Sequence, residues 1–261
     1  MNDKVRMFIG TSANGEDFKA EAAYEHTLRK NTSRDLEIVW MRKVNDARLN
    51  EENKFWHGWN DKQWSTPFSG FRWGIPEYCN FEGKAIYTDV DMLNFRDIGD
   101  LFDLEIPEGK LCLARDGKRF GGKEFCVMLF DCARWKSVMQ PAEQWKHVDH
   151  FHQQYIQLMI QNNVVGDLDP RWNSHDGDVD PFWILHYTHM PTQPWQPEWF
   201  KGLPEEHPRK DLVDLFWDAF DEAKWFYPFD ESLLENKVEY GGYGKGELKY
   251  LPLWTKNIMI E

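Results

Sequence analysis

Residues 84–91 read Lys84-Ala-Ile-Tyr-Thr-Asp-Val-Asp91, and the rest of the chain is organised around them. Positions 85–88 are a compact apolar, β-favouring run, and Asn80, Glu82 and Gly83 supply a turn ahead of it. That combination predicts a short buried strand. Two carboxylates, Asp89 and Asp91, follow at its C-terminal end with Val90 between them. In open α/β sheets, ligands lie beyond the carboxyl ends of the strands. A strand that ends in Asp-x-Asp therefore puts two negative charges where a site belongs. Carboxylates that close repel each other; a hard divalent cation removes the repulsion and then takes phosphate oxygens. The same residues also fit a plainer role, with one Asp capping the next turn and the other solvated. The motif alone does not decide between the two.

Outward from this strand the pattern is α/β. Residues 5–10 predict a strand, 18–30 a helix and 36–41 a second strand, a β-α-β start that implies a parallel pair with a crossover helix. Residues 66–78 predict a short helix interrupted before Pro76. A short helix with a loop is expected within 94–105, and strands over 110–114, 125–130 and 182–187. The longest helical candidate is 141–163, with Pro141 in its first turn and Trp145, Val148, His152, Tyr155, Ile156 and Met159 on one stripe. Residues 45–63 read as an irregular excursion, 166–180 as an Asp-rich polar loop, 191–208 as a Pro/Trp-rich loop and 212–225 as an amphipathic helix. No internal repeat, low-complexity segment or linker interrupts the chain. The expectation is one α/β domain over 1–200, with a helix and irregular decoration of the same domain over 201–261.

The chain has 261 residues, 41% of them hydrophobic, enough for a packed core. A formal net charge of -13 disfavours nucleic acid or an anionic membrane as main partner. It leaves an anionic small ligand open, because a bound cation inverts the local field. No apolar stretch approaches the length of a membrane span, and the N-terminus enters a strand without a signal-like apolar region. Cys79, Cys112, Cys126 and Cys132 form no C-x-x-C pair and read as reduced core thiols, so a cytoplasmic protein is expected. Most of the 14 Trp belong to the core, with one or two available to a sugar face.

A metal site at Asp89 and Asp91 needs a third ligand. His186, at the end of the apolar run 182–187, is the best candidate, the alternative being a satisfied strand-end histidine. Two carboxylates and one imidazole suit Mn²⁺ or Mg²⁺, and the imidazole tilts the choice toward Mn²⁺.

The stretch PFSGFRWGIPEYCNFEGKAIYTDVDMLNFRDIGDLF resembles the core of glycosyltransferase family 8 and its bacterial and viral relatives. An Arg-containing helix, Ile-Pro-Glu, a short strand, Asp-x-Asp, an apolar pair and a "gdi-eLf" segment occur in order. MFIGTSANGEDF is similar to the family's first strand and base-binding loop, and ILHYTHMPTQPW to its late His-aromatic-x-Gly-x-x-Lys-Pro-Trp motif. The resemblance covers residues 4 to 195 or so. It implies a GT-A fold, a single Rossmann-like mixed sheet flanked by helices. It also implies a retaining, metal-dependent transfer of a hexose from a nucleotide-diphosphate sugar, commonly a UDP-sugar, to a carbohydrate acceptor.

Carried onto this sequence, the resemblance makes Asp89, Asp91 and His186 the metal ligands. Arg72, Asp89, Thr11 and Ser12 become donor contacts. The family's Asn-x-Gly strand falls on 125–135, with Glu124 at the Asn position. Its Asp-Gln-Asp segment falls on His152-Gln-Gln-Tyr-Ile156, with Gln154 at the Gln; Gln154 and Glu124 are therefore the candidate catalytic groups. Its late Gly falls on His189 and its phosphate-binding Lys on Thr192 or Gln193. His189, Arg72 or a nearby Lys is then the substitute cation. Trp195 to Trp199 are a candidate acceptor surface on composition. Two other readings remain: a catalytically retired nucleotide-sugar-binding protein, and a sugar nucleotidyltransferase. The loop GTSANGEDF argues against the latter, because it lacks the basic residues a triphosphate requires.

Overall fold

The computed structural model describes residues 4–12, 17–43, 54–62, 64–118, 121–195 and 203–226. The expected β-α-β start is present. β1 (Val5–Gly10) is buried at every position but Arg6, as a parallel strand covered on both faces should be. α1 (Phe18–Asn31) crosses over, and β2 (Leu36–Met41) pairs parallel to β1. β3 (Lys84–Asp89) lies on the other side of β1, also parallel. The strands β5 (Cys112–Asp116), β6 (Lys123–Asp131) and β7 (Val165–Leu168) complete a six-stranded sheet in the order β2-β1-β3-β6-β5-β7. β6 runs antiparallel to both its neighbours, so the sheet is mixed. A second, three-stranded sheet joins β4 (Met92–Asn94), β9 (Ile184–His186) and β8 (Ser174–His175) in the order β4-β9-β8.

Three expectations change. The loop over 166–180 contains β7, a 3-10 turn over Pro170–Asn173 and β8. β7 was hidden because its four residues include Gly and Asp, which are poor strand formers; Gly166 is needed there because a Cβ would come 2.6 Å from Leu113. The predicted strand over 182–187 keeps three residues in β9. The helix predicted over 141–163 is two helices, α5 (Ala142–Trp145) and α6 (Phe151–Gln161), with His150 in the left-handed region at φ 64° between them. Val148, placed on the apolar stripe, is 43% exposed.

Packing explains the break. In one continuous helix, residues six apart point about 120° away from each other. Here Trp145 and Phe151 sit 5.1 Å apart, ring to ring, and both reach Trp59. The break lets α5 and α6 feed the same aromatic cluster, which also takes Phe71, Trp64 and Tyr155. Asn60 and Lys62 hold the turn by donating to Asp149 at 2.7 and 2.6 Å. Most tryptophans are used in this way, as core.

The segment before β3 forms a 3-10 turn (Phe71–Gly74) that passes into α2 (Ile75–Tyr78), with Pro76 in the first turn, where a missing N–H costs nothing. Asp97 and Asp131 cap the N-termini of α3 (Ile98–Phe102) and α4 (Cys132–Trp135), accepting from Gly99 N–H and Arg134 N–H. α7 (Lys210–Phe226) packs on α1, and His26 and Lys30 both contact Glu222 there, at 2.9 and 2.6 Å. The irregular segment expected over 45–63 and the tail over 227–261 lie mostly or wholly outside the described residues. The four cysteines are free thiols.

Gly10, the last residue of β1, is a tight point beneath the C-terminal edge of the sheet. A Cβ there would come 2.5 Å from Phe68 and 3.1 Å from the Tyr87 hydroxyl. Gly10→Ala should therefore cost about 1–3 kcal/mol by overpacking. Urea unfolding measures this; an unchanged midpoint would show that Phe68 moves aside freely.

Candidate functional site

β3 delivers Asp89 to the C-terminal edge of the main sheet, and the chain turns there into β4 through Val90 and Asp91. β4 pairs antiparallel with β9 so that Met92 faces His186, and Tyr187 N–H donates to Asp91 O at 2.9 Å. This pairing brings His186 to Asp91 across 95 residues of sequence. His186 Nε2 lies 3.1 Å from Asp91 Oδ1. The other ring nitrogen, Nδ1, is 2.9 Å from Asn173 Oδ1. Asn173 follows from the 3-10 turn ahead of β8, itself paired to β9. A neutral His186 would donate from Nδ1 to Asn173, leaving the Nε2 lone pair toward Asp91.

Asp89 is held from the other side. Tyr87 O–H donates to Asp89 Oδ1, and Arg72 Nη2 reaches the same oxygen at 3.3 Å. The Arg72 guanidinium also donates to Ser69 O at 2.7 Å and to Phe125 O, and lies 4.3 Å from the centre of the Tyr87 ring. Cys126 stands beside this pair in the cleft wall, and burial first, then the charge of Asp89, raises its thiol pKa well above the ordinary value. Donor atoms of Asp89, Cys126 and His186 all lie within 4.8 Å of one another.

These groups line a cleft that opens to solvent. Its walls include Ser65, Thr66 and Phe68 ahead of β3, His152 and Ile156 of α6, His175 of β8, and Thr188, Met190 and Gln193 after β9. Arg72 is the one Lys or Arg among the described residues that line it. Gln193 Nε2 donates to Asp91 Oδ2 at 3.0 Å and to Tyr187 O at 2.8 Å.

The electrostatics is that of a crowded acidic site. Burial raises the Asp89 pKa; Arg72 opposes the shift and Asp91 adds to it. Burial works against a charged His186, but Asp91 and Asp89 outweigh it and hold its pKa above the ordinary value. His152 is the opposite case: burial, with Arg72 nearby, pushes it down to about 3. Its Nδ1 accepts from Trp73 Nε1 at 2.9 Å, so the neutral ring carries its proton on Nε2.

Asp17, ahead of α1, is a further carboxylate of the cleft. It is 2% exposed, accepts from Trp195 Nε1 at 3.2 Å, and its Oδ2 has no hydrogen-bond partner. Burial first, then Glu21 and Asp91, push its pKa up to about 7. A carboxyl whose folded pKa is raised contributes stability that is complete below the unfolded value, near 4, and is lost as pH rises through about 7. In a chelator-treated sample the wild type should lose stability relative to Asp17→Asn between about pH 5 and about pH 8. Urea midpoints at the two pH values measure the difference. Parallel pH dependences would show that Asp17 stays ionised throughout.

The structure brings Asp89, Asp91, His186 and Arg72 together at the cleft. It does not bring the other candidates to the cleft wall. Gln154 is exposed on α6, because the side of that helix facing the cleft carries His152 and Ile156. Glu124 is buried one residue before the wall residue Phe125, and a Cβ on Gly117 would come 2.1 Å from its Cγ. Cys126, two residues further along β6, lines the cleft beside Phe125. His189 is exposed between the wall residues Thr188 and Met190. Thr11 and Ser12 are buried braces: Thr11 Oγ1 donates to Glu21 Oε1 at 2.5 Å, and Ser12 Oγ accepts from Asp17 N–H at 3.1 Å. Trp195 is 7% exposed and stacks on Phe216, so it presents no acceptor face; residues 196–200 lie outside the described residues.

Asp17, Cys126 and His152 are among the wall residues to which sequence reading gave no role in the site. Cys126 was accessible in principle. The β3–β6 register pairs Thr88 with Val127, and the next step sets Asp89 opposite Cys126. The antiparallel direction of β6 was the missing information.

No protein-family model and no curated protein sequence matches the chain. Solved structures do. The apo form of the glycosyltransferase GlyE from Streptococcus pneumoniae TIGR4 aligns with a TM-score of 0.57 at 18% identity, over 86% of this chain and 63% of GlyE. The galactosyltransferase LgtC, in complex with donor and acceptor sugar analogs, aligns with a TM-score of 0.56 at 14% identity, over 84% of this chain and 96% of LgtC. The bifunctional glycosyltransferase WbbM aligns with a TM-score of 0.57 at 11% identity, over 86% of this chain and 51% of WbbM. This chain thus spans well short of the full length of GlyE and WbbM. Among the described residues no helix is long and apolar enough to cross a membrane. The chain has the GT-A fold of these glycosyltransferases, a mixed six-stranded sheet flanked by helices.

Proposed function

We propose that the protein is a metal-dependent glycosyltransferase that moves a hexose from a nucleotide-diphosphate sugar, a UDP-sugar by preference, to a carbohydrate hydroxyl with retention. One observation carries the proposal: Asp89, Asp91 and an Asn173-oriented His186 converge at the C-terminal edge of a GT-A sheet, beside Arg72. LgtC, of similar fold, was crystallised with donor and acceptor sugar analogs.

The residues fit a divalent cation. The contact of His186 Nε2 with Asp91 Oδ1 at 3.1 Å sets a nitrogen lone pair against a carboxylate oxygen unless a proton or a cation lies between them. The Asn173 contact is the kind of outer partner that fixes a ligating imidazole. Asp89, Asp91 and His186 would hold the ion, Mn²⁺ or Mg²⁺. When bound, it neutralises charge that develops on the diphosphate leaving group. Arg72, anchored by two backbone carbonyls, supplies fixed positive charge on the same side. Tyr87 and Arg72 bind Oδ1 of Asp89 and thereby set the direction of its other oxygen. His152, neutral and fixed by Trp73, offers an N–H donor at the wall without adding charge.

Two predictions test the site as a binding site. Calorimetry with a panel of nucleotide sugars should show binding of a UDP-hexose that requires Mn²⁺; equal binding in chelator would remove the metal from donor recognition. Asn173→Ala should weaken Mn²⁺ binding by about 10–100-fold, because His186 loses its orienting partner. Unchanged Mn²⁺ affinity would show that Asn173 plays no part in holding the ring.

A second reading has an observation of its own. Gln193 stands at one of the two positions where the resemblance puts a phosphate-binding Lys, and its amide is spent on Asp91 and Tyr187. A cleft with so little cationic charge also suits a protein that binds a nucleotide sugar and does not turn it over. Donor binding without nucleotide release is the outcome that favours this reading.

A further inference from the structure

The cation site contains a group that the two carboxylates and the histidine do not explain. Cys126 projects from β6 into the cleft opposite Asp89, by the register that pairs Thr88 with Val127. Directly opposed residues of an antiparallel pair have Cβ atoms about 5 Å apart. The Cys126 sulfur, an Asp89 oxygen and a His186 nitrogen lie within 4.8 Å of one another. Donors adjacent on one ion, with bonds of about 2.0–2.3 Å, stand roughly 3.0–3.5 Å apart in octahedral or tetrahedral geometry. Closing these three takes movements of about one to two ångströms shared among the side chains; Asp91 is not one of the three and meets them through its 3.1 Å contact with His186. Arg72 lies alongside and would face a thiolate with a positive charge.

We propose that Cys126 is a protein ligand of this cation site together with Asp89, Asp91 and His186. The site then prefers a borderline or thiophilic divalent ion such as Zn²⁺ or Co²⁺ to Mg²⁺. The inference rests on the metal reading of the site given above. Carboxylate and water ligands alone suit Mg²⁺ and Mn²⁺, whereas a thiolate adds affinity for softer ions. On binding, the Cys126 S–H bond breaks, the sulfur electron pair forms the bond to the metal, and one proton leaves to solvent for each ion bound. In the metal-free protein, burial and the neighbouring Asp89 keep the thiol protonated, so the thiolate forms with the ion and is not standing ready.

The test is an optical titration of the reduced, metal-free protein with Co²⁺. The d–d bands report that the ion is bound, and a near-ultraviolet thiolate-to-Co²⁺ charge-transfer band reports sulfur ligation. Wild type should show both. Cys126→Ser and Cys126→Ala should keep the d–d bands, lose the charge-transfer band and bind Zn²⁺ at least about tenfold more weakly, with Mg²⁺ affinity unchanged. Circular dichroism confirms that both variants are folded, and the serine variant serves if the alanine variant is not. Wild-type d–d bands that vanish in Asp91→Asn, with no charge-transfer band, would overturn Cys126 ligation and leave the metal site standing. A charge-transfer band that survives in both Cys126 variants would assign the sulfur elsewhere and overturn it also. Absence of any Co²⁺ binding would overturn this inference and the metal reading together.

Discussion

Asp91→Asn should abolish most turnover of the donor, lowering kcat/KM by roughly a thousandfold or more. Asp91 is the meeting point of the site: His186 Nε2 approaches one carboxylate oxygen at 3.1 Å and Gln193 donates to the other at 3.0 Å. Its backbone carbonyl accepts from Tyr187, which fixes the strand that carries His186. The substitution is nearly isosteric and leaves the Gln193 contact an acceptor. What it removes is one full negative charge from the cation site. Losing several kcal/mol of charge stabilisation on a departing diphosphate gives the stated factor. The protein should stay folded, and removal of an acid from a crowded acidic cleft should not destabilise it. Steady-state kinetics beside a urea unfolding curve separates the two effects. Full activity in Asp91→Asn would remove Asp91 from the chemistry.

The second large effect is on stability. Glu21→Ala should cost about 3–5 kcal/mol. Glu21 is 0% exposed and Arg42 4% exposed, and Arg42 binds it through both terminal nitrogens at 2.7 and 2.6 Å. Thr11 adds a third hydrogen bond at 2.5 Å, and Arg42 also donates to Ser12 O at 3.2 Å. The pair thus ties α1 to the residues that directly follow β1 and β2. Truncating Glu21 strands a buried guanidinium, and that uncompensated charge accounts for most of the cost. Glu21→Met combined with Arg42→Met should recover much of the loss, because well-packed apolar replacements avoid the desolvation of both charges. Equilibrium urea unfolding of the three proteins measures this. A loss below about 1 kcal/mol in Glu21→Ala would mean that water reaches Arg42.

Much of the frame was legible in the chain because its signals are local. β1, α1, β2 and β3 are contiguous runs with clear periodicity, and their bounds agree with expectation to within a residue or two. Asp89 and Asp91 were legible because they follow such a strand directly. His186 was singled out as a strand-end histidine, and the β4–β9 pairing sets it beside Asp91. The features that were missed depend on long-range geometry. The antiparallel register of β6 on β3 sets Cys126 opposite Asp89 at the cleft, while the Glu124 side chain packs over Gly117. The break at His150 decides which residues of α6 face inward, so that His152 lines the wall and Gln154 is exposed. Thr11 and Ser12 are donor contacts by the resemblance alone; in the structure Thr11 donates to Glu21 and Ser12 Oγ accepts from Asp17 N–H, contacts between residues distant enough in sequence to give no local signal. Strand β7 gave almost no local signal because pairing with β5, and not its own composition, makes it a strand.

His189 stands where the resemblance implies a Gly and Gln193 at one of the two positions where it implies a phosphate-binding Lys, and Cys126 stands opposite Asp89. On the proposed reading these residues alter the charge and softness of the cation site, and the difference should show in metal preference and turnover.

Release of UDP from a panel of UDP-hexoses is the most direct test, measured with Mn²⁺ and again after chelation, with and without simple sugar acceptors. The proposed function predicts release from at least one donor, faster with an acceptor, lost on chelation and restored by added Mn²⁺. Binding of the same donors with no UDP released under any of these conditions would contradict it.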